Sequence, residues 1–313
     1  MPELLSLFDP ALDVGDLDTT FVHIRDSEFC DDVRAYLDAA WAIFRDHADS
    51  NFATELRRPG CFQSRAWELR LAWTLRDLNL PFRGPKPGPD FAIPLADRTV
   101  YVEAVAPHAT DSLMANYEAA KRFGAAIPDA EIILRYTGAI VEKVRKFEEY
   151  RSTGIVGEKD PYVIALSGAN IPQSSIEEWP FPRILKPLFA IGEAYLSVPV
   201  DGSGEVTQGI HRREIRQTSK GSPVSCRIFL QDGHRELSAV VFAPWDIKNS
   251  PESRERPPGN DFLVIHNPYA QNPLPAGFLP RGQEWAVRDG TVALVSDWRS
   301  REAAKPDGLR PAG

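Results

Sequence analysis

Residues 89–105, PDFAIPLADRTVYVEAV, constrain this chain more than any other stretch. Two β-prone runs, FAIPL and TVYVEAV, are joined by a turn-like ADR, which predicts a hairpin. A two-residue turn at Ala96–Asp97 pairs Leu95 with Arg98 and, moving outward, Ile93 with Val100, Phe91 with Val102 and Asp90 with Glu103. Phe91, Ile93, Val100 and Val102 then form one apolar face, while Asp90, Tyr101, Glu103 and Val105 share the other. Carboxylates opposed in this way, with Cβ atoms roughly 4.5–5.5 Å apart, repel each other. A divalent cation between them converts that penalty into binding. A three-residue turn shifts the register by one, and Gly–Pro–Asp is also an ordinary loop string, so the facing of the two acids depends on the turn.

Helical patterns flank the hairpin. Val33, Tyr36, Leu37, Ala40, Trp41 and Phe44 recur at helical spacing across 31–47, and a second helix is expected over 62–78. In that second helix Glu68 shares its face with Leu71, Ala72 and Leu75. An ionised carboxylate on an apolar stripe is costly unless it is paired or ligates a metal; Arg65 and Arg70 are the pairing alternatives. Three converging carboxylates suit a hard, oxygen-preferring ion such as Mg²⁺. A helix is read over 111–123, and another over about 130–151 with Asp129 as its N-cap. The strand YVIALSG follows. Beyond residue 168 prolines become dense and short strands replace helices: VSCRIFL and ELSAVVF read as a hairpin around QDGHR, with DFLVIHN and TVALV as further strands. This predicts an α/β protein with a helical N-terminal region (1–60), a core (61–170) and a β-rich, proline-rich C-terminal extension (171–313), whose strands either form their own unit or extend the core sheet.

The order of these elements resembles the PD-(D/E)XK phosphodiesterases, whose core is restriction-endonuclease-like. A helix with Glu68 in RAWELRLAWTL, a strand opening on Pro89–Asp90, a strand with Glu103 in VYVEAV, the helix near 130–151 and the strand YVIAL match that superfamily's αβββαβ core, a mixed sheet flanked by helices, over roughly residues 61–170. The resemblance implies a metal-dependent nuclease: Asp90 and Glu103 hold Mg²⁺ (or Mn²⁺), with Glu68 directly or through water. The superfamily's lysine, normally two residues past the second acid, is replaced by Val105. Some relatives carry that lysine on the following helix, and here Lys143 lies on the apolar stripe with Ile132, Tyr136, Ala139, Ile140 and Phe147; Lys146 is the neighbouring option. Arg135, Thr137 and Lys86 are candidates for phosphate contact. Lys143 as a stripe-edge lysine that snorkels to water is the alternative. If no lysine reaches the acids, the fold serves as a catalytically inactive binding or interaction module.

Composition bounds these readings. A net charge of −8 argues against bulk attraction to nucleic acid and leaves a local groove as the contact for DNA or RNA. The clearest basic cluster is IHRREIRQTSK, with Arg212, Arg213, Arg216 and Lys220 against Glu214; it reads either as a phosphate-backbone track or as a solvated loop. Trp179, Trp245, Trp285 and Trp298 are stacking or packing residues. Three dispersed cysteines argue against a disulfide scaffold and point to a reducing, cytoplasmic setting. No apolar run approaches the ~20 residues of a membrane helix. A homodimer is compatible with action on duplexes.

Overall fold

A computed structural model describes residues 6–299 apart from 14, 85–86, 125, 177–180, 199, 201–203, 205, 219, 231–232 and 250–256. The N-terminal third is helical: α1 (Thr19–Asp26), α2 (Asp31–Phe44), α3 (Phe52–Arg57) and α4 (Phe62–Asp77). Asp18 caps α1, accepting from the amides of Thr20 and Phe21 at its start. The predicted hairpin follows as β1 (Phe91–Pro94) and β2 (Thr99–Val105), antiparallel, with Phe91 opposite Val102 and Ile93 opposite Val100. The Leu95 amide donates to the Arg98 carbonyl at 2.8 Å, closing the two-residue turn. Ahead of β1, Arg83 makes a single antiparallel bridge to Ala92.

Helices α5 (Asp111–Phe123) and α6 (Asp129–Ser152) lead to β3 (Tyr162–Ser167), which lies parallel to β2. The short α7 (Leu185–Phe189) comes next. Two small antiparallel ribbons follow, β4 (Ile191–Ser197) with β5 (Thr207–Arg212), and β6 (Ile215–Gln217) with β7 (Pro223–Ser225). Then β8 (Ala239–Ala243), β9 (Leu263–His266), β10 (Gln283–Arg288) and β11 (Thr291–Asp297) join the main sheet. Its order is β1-β2-β3-β8-β9-β10-β11, with both parallel and antiparallel pairs. Strand pairing thus crosses residue 170: β3 and β8 lie side by side.

The central strands β3 and β8 are buried on both faces, as their continuous apolar runs require. Val102, Val163, Val241 and Val264 face the layer of α1–α4. Tyr101, Ile164, Val240 and Ile265 face the layer containing α6 and α7. The indole of Trp67 donates to the Ala165 carbonyl at 2.8 Å, pinning α4 across the sheet centre.

Two local expectations are corrected. VSCRIFL and ELSAVVF do not form a hairpin. ELSAVVF supplies β8, whose partners are β3 and β9, while the amides of Ile228 and Phe229 bond to the carbonyls of Pro187 and Leu188 in α7. Asp129 does not cap α6 from outside. It is the first helical residue, and its carboxylate is taken by Arg183 and Lys186.

Candidate functional site

Glu68 is buried on α4, at 8% exposure, because the helix presents nearly its whole length to the interior. Arg65, one turn earlier, donates to it at 2.7 Å and also bonds Glu55. Asp90 stands at the entrance to β1. Its Oδ2 accepts from the Ala104 amide at 2.7 Å, across from the strand that carries Glu103, in the register the two-residue turn dictates.

Glu103 is 1% exposed. Lys143 Nζ reaches its Oε1 at 3.1 Å and Lys146 Nζ reaches the same oxygen at 2.6 Å, while the Tyr150 hydroxyl donates to Oε2 at 3.4 Å. Residues 143, 146 and 150 are three and four apart, so α6 presents them as one row along its side. Val105, two residues past Glu103, packs into the α6 layer instead of carrying charge. The cations therefore come to the acid from the helix and not from the strand.

Glu68 feels the charge of Asp90, and Asp90 feels that of Glu103. Burial, then repulsion from Asp90, pushes Glu68 up to about 8 from an ordinary 4.5, against the pull of Arg65. Burial, then repulsion from Glu103, pushes Asp90 up to about 6 from 3.8, despite the Ala104 amide and the two lysines. For Lys146 burial acts to lower the value, but the bonds to Glu103 and Tyr150 hold it above the ordinary lysine range. A cavity of about 250 Å³ opens onto Glu68 and Asp90 between His47, Asp49 and the Pro87–Pro89 loop.

The other candidates are placed differently. Thr137 is fully buried and its hydroxyl donates to the Ile133 carbonyl at 2.8 Å, a bond within the helix. Arg135 donates to the His108 carbonyl at 2.7 Å. Both sit about two turns of α6 before Lys143. Lys86 and Trp179 lie outside the described residues. In the basic cluster Arg212 pairs with Glu214 at 2.5 Å and Arg213 with Glu193 at 2.6 Å, so part of its charge is offset locally. Trp285 is buried, and Trp245 is 38% exposed. Sequence reasoning missed Asp49, His47 and Tyr150; only Tyr150 carried a signal, its four-residue step from Lys146.

Among the described residues no group of three or more His, Cys, Asp or Glu side chains is arranged to hold a metal ion. The donor chemistry nonetheless fits a hard cation. The donors are all oxygen, and the charged forms of Glu68 and Asp90 are disfavoured by burial and by their neighbours, a penalty that a bound cation reverses. No described helix is long and apolar enough to cross a membrane. No family model matches the chain, and no curated protein or solved structure matches it.

Proposed function

We propose that the chain is a metal-dependent phosphodiester hydrolase, a nuclease acting on DNA or RNA through a local groove, built on a restriction-endonuclease-like core. The observation that carries this reading is the convergence on Glu103 of Lys143 and Lys146 from α6, with Asp90 bonded to the adjoining amide of the same strand. The order of α4, the Arg83 bridge, β1, β2, α6 and β3 supports the αβββαβ assignment, with the first strand reduced to one bridge and α5 inserted ahead of α6.

In this reading Asp90 and Glu103 hold Mg²⁺ or Mn²⁺, with Glu68 binding directly or through water. The ion, when bound, acidifies a water and offsets charge on the phosphate. Lys143 and Lys146 place two positive charges where the scissile phosphate gathers negative charge. Arg65 holds Glu68 in position. Burial of Glu68 and Glu103 strengthens each of these interactions.

A second reading, a nuclease-fold module that binds without cleaving, is favoured by the closure of both lysines on a single Glu103 oxygen. That contact compensates the acid internally. Calorimetric titration with Mn²⁺ separates the two. The hydrolase reading expects binding by the wild type, loss of it in Asp90→Asn and Glu103→Gln, and cleavage of DNA or RNA that follows the same pattern. Absence of metal binding favours the module, and equal cleavage by all three proteins overturns the hydrolase.

A further inference from the structure

A second cavity, of about 410 Å³, lies at the start of α6. Its walls include Phe181, Ile191, Ile210, Lys186 and Arg216. Arg216, on β6, is only 7% exposed, and its Nε and Nη2 atoms have no hydrogen-bond partner among the described residues. Among the described residues the carboxylate paired with it is Glu193, which stands 3.8 Å from Nη1, beyond hydrogen-bonding distance. Arg213 already holds the other oxygen of Glu193 at 2.6 and 2.9 Å. The Cys226 thiol also contacts the Arg216 side chain, but it is an uncharged group whose proton burial helps retain. A buried guanidinium with so little compensation is unusual.

The start of α6, also part of the lining, adds to the same field. Asp129 and Ala130 open α6, a 24-residue helix whose N-terminus carries no side-chain cap. The amides of Asp129 and Glu131 are taken by the carbonyls of Ile127 and Pro128, and the helix macrodipole favours negative charge at this end. Asp129 does not cancel that preference, because Lys186 at 2.8 Å and Arg183 both bond to it. Phe181, Ile191 and Ile210 supply apolar surface, and the volume falls within the range of small-molecule sites.

We propose that this cavity binds a small organic anion, a carboxylate or phosphate monoester head carried on an apolar body, with the head against Arg216 and the first turn of α6. The site is separate from the acid cluster, since Lys143 lies roughly 20 Å further along α6 at 1.5 Å per residue. The proposal does not depend on the hydrolase reading.

The test is calorimetry and thermal denaturation of the full chain with benzoate and phenyl phosphate, which distinguish the two head groups. Wild type is expected to bind at least one probe and to melt higher as its concentration rises. Arg216→Met is expected to weaken binding at least tenfold. Ala194→Trp fills the cavity mouth without touching a charge, and is expected to abolish binding while leaving the ligand-free melting temperature within 1–2 °C (~1 kcal/mol). If Arg216→Met fails to fold, Ala194→Trp decides. Failure of wild type to bind either probe at millimolar concentration, or unchanged affinity in the folded variants, overturns the proposal.

Discussion

Glu68→Gln is expected to stabilise the protein in alkaline solution, although the substitution removes an ion-pair partner of Arg65. Glu68 is raised from 4.5 to about 8 in the folded chain, chiefly by burial. Between those two values the folded state holds a proton that the unfolded state has released. The contribution of Glu68 to stability is therefore most favourable at low pH, and it falls as pH climbs through the window from 4.5 to 8. At about 1.4 kcal/mol per unit, the ionised carboxylate costs up to about 5 kcal/mol above pH 8. Part of that is repulsion shared with Asp90, so about 2–4 kcal/mol belongs to Glu68 alone. The amide cannot ionise and avoids the cost. In a chain of this length about 1.5–2 °C accompanies each kcal/mol. Metal-free Glu68→Gln should therefore melt about 3–8 °C above wild type at pH 8.5. At pH 5 the carboxyl is mostly protonated, and the two proteins should agree within about 1 kcal/mol. Comparing variant with wild type at each pH cancels the titrating groups that do not interact with Glu68. The assay is thermal denaturation in a chelator at both pH values. A variant less stable than wild type at pH 8.5, or a difference that does not change with pH, refutes the reasoning.

Other outcomes follow from the same geometry. Replacing Lys143 and Lys146 together by Met strands the buried Glu103 carboxylate and should cost about 3 kcal/mol in urea denaturation at pH 7, and adding Glu103→Gln should restore most of it. Arg70, 2% exposed and paired with Asp261 at 2.8 Å, should cost about 3–5 kcal/mol as Arg70→Ala, read as a lower denaturation midpoint with an unchanged slope. Gly282→Ala should lose more than about 2 kcal/mol in the same assay. Gly282 has φ of +58°, and a Cβ there would stand 1.9 Å from the Phe262 carbonyl oxygen at the β9–β10 junction.

The hairpin was legible because two kinds of information agreed. Alternation put Phe91, Ile93, Val100 and Val102 on one face, and a two-residue turn set the register that brings Asp90 beside the strand of Glu103. Helical periodicity put Lys143 on the stripe, with Lys146 beside it, but left a lysine that snorkels to water equally open; that it meets the acids was an expectation of the resemblance, and both lysines do reach Glu103. The β4–β5 and β6–β7 ribbons were not legible. Most of their residues are exposed, so the alternation that marks a half-buried strand is missing. Asp129 carried a strong capping signal, yet Arg183 and Lys186, more than fifty residues on, outcompeted the local amides for its carboxylate. Asp49 and His47 reach the cavity over Glu68 and Asp90 from the loop after α2, a neighbourhood that only the packing of α2 on α4 creates.

The most direct measurement is the single-turnover cleavage rate of end-labelled single- and double-stranded DNA and RNA in Mg²⁺ or Mn²⁺, comparing wild type with Asp90→Ala and Glu103→Ala. Metal-dependent cleavage that falls at least about a hundredfold in each variant, a loss of about 2.7 kcal/mol of transition-state stabilisation, is the predicted result. Cleavage that is indifferent to chelation, or equal in all three proteins, contradicts the account, as does wild type that leaves every substrate intact.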